Sequence, residues 1–368
     1  MSPSAEIQLV AVVTAAACAL PGAFLVLRRV AMLSDAISHA ILPGIVVAFF
    51  WTRDLSSPWL VLAASATGVL TVALIEALRR TGRVKEDAAV GLVFPALFAL
   101  GVVLVSRAAG DVHLDVDAVL LGELAFAPFD RVTWGGADLG PTALWTMGGI
   151  LLAELALLAA FYKELQASTF DPALAAALGL APAALHYGLM GVVSVAAVGA
   201  FDAVGSILVV ALMVAPPATA WLLTDRLPRM LALSVAVGAA SALAGYAFAR
   251  WLDTTLAGAM AVAAGLAFAL AWAFAPERGL AAVARRRAGQ RRTFAATLLA
   301  VHLLQHEGHA DADRECRASH LTEHVGWEAA FARRAVEAAV GAGWVRADGD
   351  RLYLTDAGRA TAAAAVVA

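Results

Sequence analysis

The sequence predicts an all-α polytopic membrane protein of eight to nine transmembrane helices, carrying a small C-terminal winged helix-turn-helix domain. Three observations lead there. The 368-residue chain is 61% hydrophobic and only 15% charged, with a mean hydropathy of +0.79, well outside the composition of soluble domains. Apolar runs of roughly 20 residues, the length that crosses a bilayer, recur up to residue 275. Near residue 276 the composition changes, and Arg, Glu, Asp and His crowd in. The expected organisation is a membrane part over 1–276, a basic linker over 277–292 and a soluble domain over 293–368.

The apolar runs fall at about 7–27, 31–50, 58–78, 88–106, 141–162, 183–201, 203–223, 230–249 and 254–275. The first has no basic residue before it and Arg28–Arg29 after it, the reverse of signal-peptide flanks, so it is expected to remain as a span. Runs 183–201 and 203–223 are separated only by Asp202, and the second contains Pro216–Pro217. One of the two is therefore a candidate for a broken helix, with eight spans as the alternative count. Alternate loops differ sharply in basic residues. One set holds Arg28, Arg29, Arg79, Arg80, Arg83, Lys85, Lys163, Arg226, Arg229 and the arginines of 278–292; the other holds Arg53, Arg107, Arg131 and Arg250. The positive-inside rule makes the first set cytoplasmic. With nine spans, the N-terminus lies outside and the tail lies in the cytoplasm, on the inner face of the cell membrane.

Three connections carry structure of their own. The acidic outer loop 107–140 has an apolar centre, 118–127, spaced for an interfacial helix. The inner loop after Lys163 contains a short helix opened by Asp171 as cap with Pro172 in its first turn, and closed by Gly179. Either a docking helix or an ordinary loop helix fits that pattern. The tail parses into helices at about 293–306, 316–324 and 327–342. "WVRA" and "RLYLT" follow, joined at Asp348–Gly349 as a hairpin.

Within the first half of the chain, "MLSDAISHAILPGI" (32–45) places Asp35 and His39 four residues apart, on one helix face. Ionisable residues in a span are costly and mark a pathway or a partner. Carboxylate plus imidazole suits Mn, Fe(II) or Zn. One helix offers only two ligands, so two subunits meeting on an axis would be needed for four; a structural Asp–His hydrogen bond is the alternative. Glu154, Asp202, Glu76 and His186 are weaker signals: Glu154 is read as packing, Glu76 as snorkelling and His186 as an interfacial anchor. No G-x-x-x-x-G-K-[ST] occurs, so the chain is no ATPase and no enzyme. Its two cysteines, Cys18 and Cys316, build no disulfide framework, and a net charge of −3 implies no polyanionic partner.

Taken together, "GAFLVLRRVAMLSDAISHAILPGIVVAFF" (22–50), "DAVLLGELAF" (117–126), "FDPALAAALGLAPAALHYGLM" and "AVGSILVVALMVAPPATAWLLTDRL" (within 170–227) resemble the permease subunits of manganese, zinc and iron ABC importers. The resemblance implies a homodimer or heterodimer of permeases in the membrane lipid, a cytoplasmic ABC ATPase subunit, and an extracytoplasmic solute-binding protein that delivers the ion. It implies that Asp35 and His39 hold metal at an outer gate. It also implies that the segment with Asp171, Pro172, Leu178 and Gly179 couples to the ATPase. Manganese is expected first as the transported ion, then zinc or iron. A gradient-driven metal transporter and a membrane-tethered metal-responsive regulator are the alternatives.

The tail, with "HLTEHVGWEAAFARRAVEAAVGAGWVRADGDRLYLTDAGRATA", is similar to the winged-helix part of iron-dependent repressors. From 290 on it has nine arginines and no lysine against ten acidic residues, a charge balance that argues against DNA. Five of the chain's eight histidines, His302, His306, His309, His320 and His324, fall here beside Asp311, Asp313, Glu315 and Cys316. His302 with His306, and Cys316 with His320 and His324, are spaced to share helix faces. These five residues are the expected ligands of a cytoplasmic metal sensor, against surface histidines in a domain that only contacts the ATPase.

Overall fold

Within the computed structural model the described residues are 2–53, 57–108, 124–134, 137–323 and 326–367. The chain divides into two units, Met1–Ala275 and Pro276–Ala368. Among the described residues of the first unit, nine helices are long and apolar enough to cross a membrane.

The first span is α1 (Pro3–Leu27), capped by the Ser2 hydroxyl. It is buried almost without interruption from Thr14 to Leu25, as a helix apolar on all sides must be when it forms the centre of a bundle. The second span comes in two pieces, α2 (Met32–Ala40) and α3 (Leu42–Thr52), parted at Ile41. The cause is in the sequence: Pro43 has no N–H to give the His39 carbonyl, and its ring crowds that turn. Next come α4 (Pro58–Arg80) and α5 (Glu86–Ala108). An antiparallel hairpin of β1 (Arg131–Trp134) and β2 (Ala137–Pro141) follows. Arg131 ties it to the start of α1, donating to Glu6 at 2.9 Å and to Asp138 at 2.7 Å. The interfacial helix expected over 118–127 falls largely outside the described residues; Leu124–Phe126 forms a 3-10 turn.

The long α6 (Thr142–Phe170) leads into the short α7 (Pro172–Ala177), then α8 (Pro182–Val204), α9 (Ser206–Leu223), α10 (Leu227–Leu252) and α11 (Leu256–Phe274). The two runs with the uncertain count are separate spans. Their break falls at Gly205, which has φ 81°, while Asp202 lies inside α8. Pro216 and Pro217 sit within α9 without ending it. Pro217 cannot donate to the Met213 carbonyl, and α1 uses that opening: a Cβ on Gly22 would come to 2.1 Å from this oxygen. Gly22 therefore lets α1 and α9 pack backbone to backbone.

In the second unit, α12 (Leu280–His306) is one continuous helix. Residues 277–292, expected as a basic linker, are thus helical from Leu280 onward. The helix expected over 316–324 is not continuous: α13 (Ala312–Glu315) and α14 (His320–Glu323) are separate turns. The residues between them pair with a strand instead. Leu352 N–H donates to the Cys316 carbonyl at 2.8 Å and Ala318 N–H to the Asp350 carbonyl at 2.7 Å. The Ser319 hydroxyl and N–H both bond the Asp350 carboxylate, at 2.7 and 3.0 Å. After α15 (Ala329–Gly341) comes the expected hairpin, β3 (Val345–Asp348) with β4 (Arg351–Leu354), and then α16 (Asp356–Val367). Leu299, Leu303, Leu321, Val345, Leu352 and Leu354 build the unit's own core.

Candidate metal sites and docking helix

Asp35 and His39 both project from α2, with Nε2 of His39 3.5 Å from Oδ1 of Asp35 and each side chain 37% exposed. Their neighbours Ser34, Ala36, Ile37, Ser38 and Ala40 are buried. Ser34 and Ser38 donate their hydroxyls to the Ala31 and Ser34 carbonyls, both at 2.8 Å, and both are buried, away from the open side. The pair therefore lies on the one open face of a buried helix, with Met32 on the same side. Depth follows from the neighbours. Ile37 and Ser194 both lie against Gly68, with Gly68 and Ser194 near the midpoints of α4 and α8, and the His39 ring approaches Phe94 and Phe98 of α5 at 6.2 and 6.5 Å between centroids. An acid and an imidazole at that depth are too costly to leave against lipid; their open face requires water, protein or an ion.

The Asp171 carboxylate caps α7 by accepting from Leu174 N–H at 2.9 Å. At its other end Leu178 and Gly179 (φ 81°) close the helix, with Leu180 N–H returning to the Ala175 carbonyl at 3.1 Å, the geometry of a glycine-terminated helix. Ala175 is buried, whereas Phe170, Leu174 and Leu178 are more than half exposed (58%, 52% and 66%). Three large apolar side chains thus stand exposed around one short helix among the described residues, a candidate docking face.

Other polar residues of the first unit have local roles. Arg28 donates to Ser168 (3.1 Å), Thr169 (3.2 Å) and the His186 ring (3.1 Å), joining the ends of α1, α6 and α8. His186 is thereby an anchor within the bundle. Glu76 pairs with Arg79 and Arg80 at 2.7 and 3.1 Å. Glu154 is buried, and neither carboxyl oxygen has a hydrogen-bond partner among the described residues; it lines an apolar cavity of about 510 Å³.

In the second unit the histidines gather differently from their sequence pattern. His302 and His306, one turn apart on α12, hold their rings 4.8 Å apart. The third partner is Glu315: one ligand atom from each of the three lies within 4.8 Å of the others. His320, stacked over His302 at 6.1 Å, directs Nε2 at the Glu315 carboxylate. Cys316 is not a member, because the break between α13 and α14 turns it into the apolar core. Cys316 and His320 do not share one continuous helix, since one helical turn ends at Glu315 and the next begins at His320; His324 lies outside the described residues, and His309 is exposed in a turn. Burial pushes the Glu315 carboxyl up, but Arg314, His320 and His306 outweigh it and hold it below its ordinary value. Burial likewise lowers His302. Sequence spacing missed Glu315 as a candidate ligand because it reaches the histidines only through the fold of α13 onto α12.

The nine-span bundle with a polar pair inside it is the architecture of a transport permease. A family model described as the ABC 3 transport family matches residues 5–275, and the chain belongs to that family. It is 48% identical over 353 residues to the zinc transport system membrane protein TroD of Treponema pallidum, covering 96% of each chain, so that match runs on into the second unit. It is 46% identical to the manganese transport system membrane protein MntD of Bacillus subtilis, over 76% of this chain and 95% of the other. Among solved structures, PsaBC from Streptococcus pneumoniae in complex with Fab superposes with a TM-score of 0.63 at 27% identity, covering 76% of this chain and 94% of that one. Membership implies partners within an ABC transporter.

Proposed function

We propose that this chain is the permease subunit of an ABC importer for a divalent transition metal ion, manganese or zinc before iron. The observation that carries the reading is the Asp35–His39 pair on the open face of an otherwise buried helix. Its relatives are named for zinc and manganese transport, and its donors suit either ion. A second permease subunit, identical or related, faces this surface, and two pairs together supply four ligands to the ion in transit. Oxygen and nitrogen donors without thiolate hold such an ion loosely enough to release it. The exposed Phe170, Leu174 and Leu178 dock a separate cytoplasmic ATPase, whose nucleotide cycle rocks the two subunits between outward and inward access. A solute-binding protein delivers the ion from outside.

The second unit lies in the cytoplasm by the positive-inside rule and has winged-helix form. Its order of helices followed by a hairpin, with 316–319 paired beside β4, supports that assignment. Its acidic balance disfavours DNA. Uptake of Mn and Zn, measured in cells lacking the chain and then complemented with it, tests the proposal: restored uptake of one ion supports it, and uptake unaffected by the chain overturns it.

A further inference from the structure

We infer that the C-terminal unit binds one divalent first-row transition ion through His302, His306 and Glu315, with His320 positioning the carboxylate, at a site separate from the membrane pair.

The three ligand atoms already converge within 4.8 Å, close enough for one ion to draw them in by side-chain rotation alone at ordinary Zn–N and Zn–O lengths. The free nitrogens are set by the rings' other contacts. His302 Nε2 lies 3.2 Å from the Glu315 backbone carbonyl; a carbonyl only accepts, so Nε2 carries the proton and Nδ1 keeps a lone pair for metal. His306 Nδ1 faces the Asp311 carboxylate at 3.5 Å, leaving Nε2. Outer contacts of this kind, imidazole N–H to carbonyl or carboxylate, orient metal-bound histidines generally. Glu315 has one oxygen on Arg314 at 3.2 Å and the other against His320. With His320 buried, that contact holds the carboxylate in place beside the two rings.

Two imidazoles and one carboxylate make an incomplete coordination shell, which water would complete. Structural zinc sites use four protein ligands, and open sites exchange. An exchangeable ion held between α12 and the short turn α13 suits reporting or buffering of ion level. Without thiolate the site takes Zn, Co, Fe or Mn, with Zn held more tightly than Mn.

The test uses full-length protein in detergent, stripped by chelator and carrying Asp35→Ala and His39→Ala so that the membrane pair cannot contribute. Titration with Co2+ is expected to give visible d–d bands saturating at one ion per chain in the micromolar range, displaced by Zn2+. His302→Ala with His306→Ala should abolish the bands. The isosteric Glu315→Gln, which keeps the local shape, should weaken binding at least tenfold; His320→Ala should weaken it less, and Cys316→Ser should leave it unchanged. Bands that survive the double histidine change and Glu315→Gln, loss of the bands in Cys316→Ser, or no binding below millimolar Co2+ would each overturn the proposal. Ion uptake is not read in this experiment, so its failure and failure of the transport reading are distinct.

Discussion

The membrane pair and the tail cluster share a chemistry and differ in completeness. Asp35 and His39 sit on one helix, and this chain leaves part of each side chain uncovered. His302, His306 and Glu315 come from two helices folded onto each other within one unit. A pair on an open face cannot enclose an ion and needs a second surface. A converging triad needs only water. On the proposed reading, the same residue types serve passage in one place and retention in the other, according to whether the fold closes around them.

Several experiments would break or sharpen that contrast. Replacing both Asp35 and His39 with Ala should reduce uptake to background while leaving membrane insertion and subunit assembly intact; retained uptake would remove the pair from the pathway. Leu174→Asp with Leu178→Asp should lower uptake more than tenfold and prevent co-purification of the ATPase, since charge on an apolar docking face costs desolvation and packing together. Gly68→Val probes how α2 is seated. Its Cβ would lie 2.6 Å from Ser194 Oγ and 3.0 Å from Ile37 Cγ2, an overpacking worth about 1–3 kcal/mol. Uptake should fall by about tenfold with the protein still inserted, and unchanged uptake would mean that the pair tolerates displacement.

The smallest effect is expected in the tail. The Ser319 hydroxyl and then its N–H hold the Asp350 carboxyl below its usual range. A depressed pKa contributes stability that is present at neutral pH and lost as pH falls through the ordinary carboxylate range toward the lower folded value. Asp350→Asn should cost about 1 kcal/mol at neutral pH, reduced by its exposure, and nothing in acid. Thermal unfolding at both pH values measures it; a pH-independent difference would mean that the carboxylate charge is not what pins residues 316–319.

The spans were legible because a bilayer imposes one length and one composition on every helix that crosses it. Asp35 and His39 were legible because any acid and imidazole four residues apart in such a run stand out. The cap at Asp171 and the stop at Gly179 were equally local. The candidate cluster in the tail was not. Cys316 and His320 have perfect helical spacing, yet Asp350 and the β4 backbone compete for residues 316–319 and win by giving them hydrogen bonds a helix would not. Glu315 was passed over as a ligand for the same reason: its partners lie nine and thirteen residues away, joined only through packing.

By itself the sequence determined what each segment must do locally, namely cross, cap, turn or break, because those choices depend on neighbours within four residues and on the solvent. It also determined the short list of residues able to hold a metal. Only the tertiary structure decided which of them meet. It left the Asp35–His39 pair partly uncovered by the rest of the chain, took Cys316 into a core and brought Glu315 to the histidines, because contact between distant residues is settled by packing that no local pattern encodes.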